Sequence, residues 1–378
     1  MKTSQLIWTA ANGWSVPTNP IVAPQLILVF GNRYELEKPE TFGQLRTYFP
    51  TGSIVIVSTS GEILDSNVYD NSIVATAIEF EKTTVECTSL QLSDSSNSFD
   101  AGIHLMGQLP HNGLKHVLVF SEGRHINGSE LIKGINSALP ENVNVTGGLA
   151  GDADNFVITL VGLNQTPTTN TMVAVGLYSD VLQVGYGSVG GWDSYGPVRK
   201  ITKSEGNKLY SLDDQPALEL YKRYLGDLVA DLPGSALLFP LSIKAEDNQP
   251  AVVRTILGID EENQAMIFAG DIQQDADAQL MKANFDRIIE AAEDAAESST
   301  QSITATNTEL ALCISCVGRK MILGPRTVEE VEQVREVLGD KPAIIGFYSY
   351  GELAPFRTTT KCELHNQTMT ITLFSEQV

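Results

Sequence analysis

Three apolar runs in the sequence each end in a glycine followed at once or after one residue by an arginine. Glycine lets the backbone turn sharply and approach a ligand closely. The planar guanidinium of arginine binds a carboxylate or phosphate through two parallel hydrogen bonds. A second apolar run then ends in Gly-Glu or Gly-Asp. The resulting pairs are Arg33 with Glu62, Arg124 with Asp152, and Arg319 with Glu352. An arginine and an acid at one sheet edge could hold the two ends of a zwitterion such as an amino acid.

The alternative is that each arginine pairs with the acid of its own unit and fastens two loops together. We favour this structural role for the first two pairs. The third pair has additional polar neighbours, so we expect a ligand site there. An arginine inside an apolar run also needs an anionic partner or a ligand. The candidate ligand-binding residues are Arg319, Glu352, Tyr348, Tyr350, His365, Asn366, Arg254 and Asp152.

The elements around these residues follow one order: strand, Gly-Arg, helix, strand, Gly-acid, and a strand that opens on asparagine. The arginine-to-acid separation is similar in the three copies, which indicates internal duplication. A strand–helix–strand unit predicts parallel pairing through a right-handed crossover, and the trailing strand is close enough to pair antiparallel. The predicted fold class is therefore α/β (mixed α+β), with mixed parallel and antiparallel sheets built from strand–helix–strand–strand units.

The length of 378 residues favours two domains. We predict an N-terminal leader over residues 1–24, a first domain over 25–213 and a second over 214–378. In the second domain we predict a three-stranded meander, then a long helix from Asp275 to about Glu297. We also predict a helix that begins with a T-x-x-E capping box, in which Thr327 and Glu330 satisfy free backbone N–H groups.

A net charge of −21 argues against binding to nucleic acids or anionic membranes, since such a surface repels phosphate groups. The first residues contain no sustained apolar run, so we expect no signal peptide. No window reaches the roughly 20 apolar residues of a membrane-spanning helix, so we expect no membrane insertion. Four scattered cysteines are unlike the disulfide framework of a secreted protein. We therefore expect a cytoplasmic protein.

Other site chemistry has weaker support. Cys313 and Cys316 form a CxxC motif, but it lies within an apolar run that reads as a strand, and no second pair or histidine accompanies it. The five histidines lack metal-site spacing. One of them, His365 or His125 above all, could still ligate a haem iron from one side. No GxSxG motif occurs, so nucleophilic catalysis lacks a recognisable centre.

Several stretches resemble the FIST sensory-domain family, with a FIST N region followed by a FIST C region. They are TGGLAGDADNF (146–156), QPALELYKRYLG (215–226), SCVGRKMILG (315–324), GFYSYGELAPF (346–356) and LHNQTMTITLF (364–374). The resemblance implies a sensor of small ligands, including amino acids, in bacterial signal transduction. It also implies a histidine kinase or a cyclic-di-GMP enzyme as partner, and some stand-alone members resemble haem proteins that sense nitric oxide.

We therefore expect a non-catalytic sensor that binds a small molecule and signals in trans, because no kinase or cyclase segment is recognisable. No cofactor is predicted, and haem is kept as the alternative within sensing. An enzyme that uses Cys316 or the Arg319–Glu352 pair is the alternative from another class. A purely structural partner-binding role is a third.

Overall fold

The computed structural model describes residues 1–93, 97–232, 234–245, 250–304, 307–356 and 360–376. Up to residue 91 the strands are β1 (Lys2–Thr9), β2 (Gly13–Trp14), β3 (Leu26–Gly31), β4 (Ser53–Ser58), β5 (Glu62–Leu64), β6 (Asn67–Tyr69), β7 (Ser72–Glu79) and β8 (Thr84–Gln91). The next eight are β9 (Leu114–Ser121), β10 (Asn144–Leu149), β11 (Val161–Leu163), β12 (Thr171–Tyr178), β13 (Leu182–Val189), β14 (Asp193–Glu205), β15 (Lys208–Leu212) and β16 (Gln215–Pro216).

The remaining strands are β17 (Leu241–Lys244), β18 (Val252–Arg254), β19 (Ile256–Asp260), β20 (Ala265–Phe268), β21 (Asp277–Lys282), β22 (Leu310–Cys316), β23 (Ala343–Ser349), β24 (Gly351–Pro355), β25 (Cys362–His365) and β26 (Met369–Glu376). The α-helices are α1 (Arg33–Leu36), α2 (Pro39–Tyr48), α3 (Ser98–Met106), α4 (Gly128–Ala138), α5 (Ala217–Leu225), α6 (Phe285–Gln301), α7 (Val317–Leu323) and α8 (Thr327–Leu338). Short 3-10 helices cover Gly226–Asp231, Gly234–Leu238 and Gly324–Arg326.

Three of the four sheets share one arrangement. Strands β3 and β4, β9 and β10, and β22 and β23 form parallel pairs, and in each case helices connect the two strands. An antiparallel strand, β7, β12 or β26, lies on the other side of the first strand of each pair. Almost every residue of these central strands is buried, as is typical of parallel sheets covered on both faces. The predicted mixed α/β fold with mixed sheets is confirmed.

A short strand leaves each unit and joins the sheet of another. Strand β5 follows β4 but pairs with β23 of the third sheet. Strand β11 pairs with β4 of the first sheet, although it follows β10 of the second. Strand β24 follows β23 and pairs with β10 of the second sheet. The three sheets therefore exchange strands in a cycle, and N-terminal and C-terminal parts of the chain share sheets.

One hydrophobic cluster joins the three sheets at their centre. Phe30 of β3, Phe120 of β9 and Phe347 of β23 lie there with ring centroids 4.6–6.3 Å apart. All three side chains are fully buried. Burial of side chains this large contributes about 1.5–3 kcal/mol each, so the centre of the molecule is a major source of its stability.

The fourth sheet is separate from these three and contains β14, β15 and β17–β21, with β16 paired to β15. Helix α5 packs against it in a hydrophobic cluster of its own. Residues 2–9, within the predicted leader, form strand β1, which extends the first sheet beside β7.

Two local predictions in the second half of the chain are wrong. The helix predicted from Asp275 begins only at Phe285, because residues 277–282 form strand β21 of the fourth sheet. Thr327 is the first residue of α8, not its cap, and its hydroxyl donates to the carbonyl oxygens of Lys320 and Gly324. Glu330, the other half of the predicted capping box, is instead a fully buried partner of Arg319.

Candidate ligand-binding cavity

A cavity of about 640 Å³ lies where the second and third sheets face the fourth. The loop after β9 (residues 123–127) forms one wall, and the junction of β22 with α7 (316–318) forms the next. The fourth sheet supplies residues 255–257 and 268–270. The carboxyl ends of β9 and β22 therefore point toward the cavity, the position at which open α/β sheets bind ligands. The volume is within the usual range for small-molecule sites.

The cavity lining is largely apolar. Its larger apolar side chains include Leu149, Phe156, Ile256, Leu257, Phe268 and Met321. Leu257 and Met321 are about half exposed, so they lie at the opening. Such a lining favours an organic ligand with an apolar body, because burying apolar surface is the main source of binding free energy.

Thr255 supplies a hydroxyl group without a partner. Its residue is buried and lines the cavity, and its Oγ1 atom makes no hydrogen bond within the described structure. A buried polar atom left in this state costs about 1–3 kcal/mol. The atom has almost no accessible surface, so a molecule in the cavity does not reach it.

Glu122 fixes the shape of the loop that forms the first wall. Its carboxylate accepts hydrogen bonds from the backbone N–H groups of Arg124, His125 and Ile126, at 2.6–2.9 Å. The hydroxyl of Thr159 also donates to it, at 3.4 Å. The carboxylate is buried behind the loop, so the loop backbone is held rigidly while its side chains remain free to face the opening.

Tyr350 and Phe156 form an aromatic pair in the lining. Their rings stack with centroids 4.6 Å apart and an interplanar angle of 18°. The Tyr350 hydroxyl accepts from the backbone N–H of Phe156 and donates to the carbonyl oxygen of Ala153. Tyr350 was among the predicted site residues and does line the cavity.

Arg319 and Glu352 do not contact one another through a hydrogen bond or ion pair. The Arg319 guanidinium donates to Glu330 Oε2 at 2.8 and 3.0 Å, and to the carbonyl oxygens of Gly190 and Ile288. Both members of the Arg319–Glu330 pair are fully buried. Four of its five N–H groups are thus engaged, and the fully buried side chain does not line the cavity.

Glu352 is also fully buried, and it accepts from the Ser349 hydroxyl and from the N–H and hydroxyl of Thr368. Burial outweighs these hydrogen bonds and raises the pKa of Glu352 to about 8. Glu62 has the same surroundings in the first unit, with Thr59 and Ser72 as donors, and burial raises its pKa to about 7. Glu62 therefore joins the turn after β4 to the start of β7. Glu352 likewise joins the end of β23 to the residue before β26.

Asp152, the third acid of the series, pairs with an arginine of a different unit. Arg33 Nε donates to its carboxylate at 2.9 Å, and the backbone N–H of Ile158 donates at 3.1 Å. The prediction that an arginine pairs with the acid of its own unit, which we favoured for the first two units, is therefore wrong for the first, and Arg124 of the second unit does not pair with Asp152 either. Arg124 differs again, because its guanidinium donates to the Val157 carbonyl oxygen.

Arg254 is buried between the fourth sheet and β25. Its guanidinium donates to the carbonyl oxygens of Asp271, Val253 and Leu364. Burial lowers its pKa to about 10. Arg254 thus connects the fourth sheet to the second, and its neighbour Thr255 is the residue that reaches the cavity.

Tyr348, His365 and Asn366 lie outside the cavity lining. The Tyr348 hydroxyl donates to Glu330, whereas Tyr350 lines the cavity, so these two candidate residues lie in different environments. The Asn366 side-chain oxygen is buried without a partner. Asn71 and Asn170, which precede the trailing strands of the first two units, both have a positive φ. In the third unit the corresponding residue is Gln367, with a φ of 62°, and not the predicted Asn366.

His365 does not fit the role of a haem ligand. It is buried, its Nε2 lies 2.9 Å from the Ala354 carbonyl oxygen, and the Phe356 ring packs edge-on against it. Burial lowers its pKa to about 4. His125 lines the cavity but is exposed at the opening, where Nδ1 lies 3.5 Å from Glu122. Within the described residues, no cluster of three or more His, Cys, Asp or Glu side chains could hold a metal ion.

Sequence reasoning missed most of the cavity lining. Thr255 and Phe156 carried no recognisable signal, because the fold brings them together from distant parts of the chain. Arg124 did have a recognisable signal, because it follows a predicted strand and a glycine, but we assigned it a structural role. Cys316 lines the cavity as well, and burial raises the pKa of its thiol, which favours the protonated form at neutral pH.

The FIST N domain family matches residues 25–215 and the FIST C domain family matches residues 217–355. The chain belongs to the FIST family. FIST domains are known sensory domains, which is consistent with a sensor in signalling. The FIST C match includes the cavity residues 255–257, 268–270 and 316–318, whereas the FIST N match includes the loop after β9 and Asn207.

Two solved structures of cyanuric acid hydrolases are similar to this FIST protein at a low level. One, described as "Cyanuric acid hydrolase: evolutionary innovation by structural concatenation", is 8% identical with a TM-score of 0.36, covering 94% of this chain and 92% of that one. The other, from A. caulinodans, is 10% identical with a TM-score of 0.19, covering 78% and 100%. Scores this low support no conclusion about fold or function. No curated protein matches the chain.

The helices in the described ranges are too short or too polar to cross a membrane.

Proposed function

We propose that this FIST protein is a non-catalytic sensor that binds a small organic molecule in the cavity between its second, third and fourth sheets. The observation that carries the proposal is the cavity itself, about 640 Å³ with a largely apolar lining and the exposed Arg124 at its opening. Such a combination of apolar surface and few oriented polar atoms is what small-molecule sites present.

The position of the cavity suits a sensor. Its walls come from separate sheets, and few polar contacts join the fourth sheet to the second. Asp271 accepts from Asn127 and Lys133, and its N–H donates to Ser129. A ligand that touches both walls binds more tightly when the walls are close together. It would therefore shift the equilibrium toward that arrangement. We propose that a cytoplasmic partner in trans, such as a histidine kinase or a cyclic-di-GMP enzyme, responds to this change.

A thermal-shift screen of amino acids, organic acids and related metabolites tests the proposal, with a variant in which the cavity is filled. Ala269→Phe places a ring on the cavity wall, and Ala23→Phe places the same ring at an exposed position. A ligand at one hundred times its Kd should stabilise the native protein by about 2.7 kcal/mol. We expect this stabilisation in the unmodified protein and in Ala23→Phe, and its loss in Ala269→Phe.

Circular dichroism would verify that both variants are folded. If no compound stabilises the unmodified protein, or if Ala269→Phe responds equally well, the cavity is not the sensory site.

A further inference from the structure

We infer that the ligand of the cavity is a small carboxylate with an aromatic or branched apolar body, bound through Arg124, and that it is not a zwitterionic amino acid. This inference rests on the proposed function, since it names the chemical class that the same cavity selects.

The side chains that line the cavity indicate the apolar part of the ligand. The stacked rings of Phe156 and Tyr350 present a flat aromatic surface beside Leu149. An aromatic ring of the ligand could stack there, which contributes beyond the area that it buries. Ile256 and Phe268 of the fourth sheet lie on the facing wall.

The charge of the ligand follows from which ionisable groups line the cavity. None of the described lining residues is an aspartate or a glutamate. Glu122 is close, but its oxygens accept from three backbone N–H groups and from Thr159, and it is buried behind the loop. The ammonium group of an amino acid would therefore lose hydration without gaining an anionic partner, which is strongly unfavourable.

Arg124 supplies the positive charge. It is exposed at the opening, its guanidinium donates to the Val157 carbonyl oxygen, and it joins no ion pair within the described ranges. The corresponding arginines of the other two units, Arg33 and Arg319, are both paired with carboxylates. The net charge of −21 repels anions in general, so the preference for an organic anion depends on the local charge of Arg124, which has no acidic partner among the described residues and lies beside the apolar cavity.

Thr255 adds no second polar contact on the facing wall. Its unpartnered Oγ1 atom has almost no accessible surface, so a ligand in the cavity does not reach it. We therefore expect the ring hydroxyl of 3-(4-hydroxyphenyl)propionate to give that compound no advantage over 3-phenylpropionate.

Isothermal titration calorimetry with four matched compounds tests the inference. They are 3-phenylpropionate, 3-(4-hydroxyphenyl)propionate, 3-phenylpropan-1-ol and L-phenylalanine. We expect 3-phenylpropionate to bind about ten-fold more tightly than the alcohol, as a charge-assisted hydrogen bond at a partly exposed site would give. L-phenylalanine should bind more weakly than 3-phenylpropionate, and added salt should reduce the preference for the acid.

Substitution of Arg124 tests whether this residue produces the preference for the acid over the alcohol. Arg124→Gln should abolish the preference for acid over alcohol and leave the affinity for the alcohol unchanged, whereas Arg124→Lys should retain part of it. Arg223→Gln, which removes an exposed arginine of helix α5, is the matched control. Thr255→Val should leave the affinities for all four compounds unchanged, because the Thr255 hydroxyl does not face the cavity.

Equal affinities for acid, alcohol and amino acid would overturn the inference, as would an acid preference that survives in Arg124→Gln. In both cases the cavity still binds small molecules, so the proposed function stands. If none of the four compounds binds, the inference is wrong, and the wider thermal-shift screen with Ala269→Phe decides the proposed function separately.

Discussion

The guanidinium group of Arg319 donates hydrogen bonds to the Glu330 carboxylate and to two backbone carbonyl oxygens inside the protein. Removing it would leave the buried Glu330 charge without its partner. Arg319→Ala should therefore lower the free energy of unfolding by about 3–5 kcal/mol. Arg326→Ala, which removes a partly exposed ion pair with Glu329, should cost at most about 1 kcal/mol.

Urea unfolding of both variants would measure these differences. An Arg319→Ala variant as stable as Arg326→Ala would show that the buried pair does not hold the third unit together.

Glu352 predicts a dependence of stability on pH. Its folded-state pKa of about 8 lies above the value in the unfolded chain, near 4.5, so the folded state binds its proton more tightly. Its stabilising effect is complete below about pH 4.5 and is lost as the pH rises toward 8. Glu62, with a pKa raised to about 7, acts in the same direction.

Replacing Glu352 by Gln should reduce the fall in unfolding free energy between pH 5 and pH 9, because the amide does not ionise. Urea unfolding at several pH values would measure this, with the exposed Glu40→Gln as the control. A Glu352→Gln variant with the same pH dependence as the unmodified protein would contradict the raised pKa.

Among the elements, local pattern predicted the central strands and several helices well. The runs at 26–30 and 117–120 are continuously apolar, as strands buried on both faces are, and both lie in central strands. The local sequence pattern did not reveal with which sheet a strand pairs. Strand β5 follows β4 after three residues, yet it belongs to another sheet, and nothing near Gly61 in the sequence indicates this.

The same limit explains the missed strand before helix α6. Residues 277–282 alternate between inward and outward side chains, with Ala278 and Leu280 buried, which is the period of a strand. We merged them with the helical pattern that follows. The Arg319–Glu330 pair was missed for a related reason: Glu330 fits a capping box by spacing, and only packing shows that it is buried.

The exchanged strands predict that the two family segments fold together. Strand β24 of the C-terminal segment pairs with β10, β5 of the N-terminal segment pairs with β23, and β13 pairs with β26. Cutting the chain between residues 216 and 217 should give fragments that do not fold alone, since each would expose unpaired sheet edges. Mixed, the fragments should form a folded complex.

Circular dichroism and size-exclusion chromatography of the separate and mixed fragments would measure this. A fragment over 1–216 that unfolds cooperatively by itself would contradict the exchange of strands.

At the scale of the whole molecule, three strand-exchanging sheets form a common core and the fourth sheet closes over one side of it. The cavity lies at that junction and is lined by residues from both family segments. Under the proposed function, a ligand in the cavity would touch both parts, and its binding free energy would stabilise their contact.

Hydrogen exchange of the native protein with and without 3-phenylpropionate tests this account most directly. The ligand should slow exchange of backbone N–H groups in residues 123–127, 255–257 and 316–318 together, because these segments form the walls of the cavity. Ala269→Phe should show no such protection at the same concentration. Protection confined to other parts of the chain, or equal protection in Ala269→Phe, would show that the ligand does not bind in this cavity.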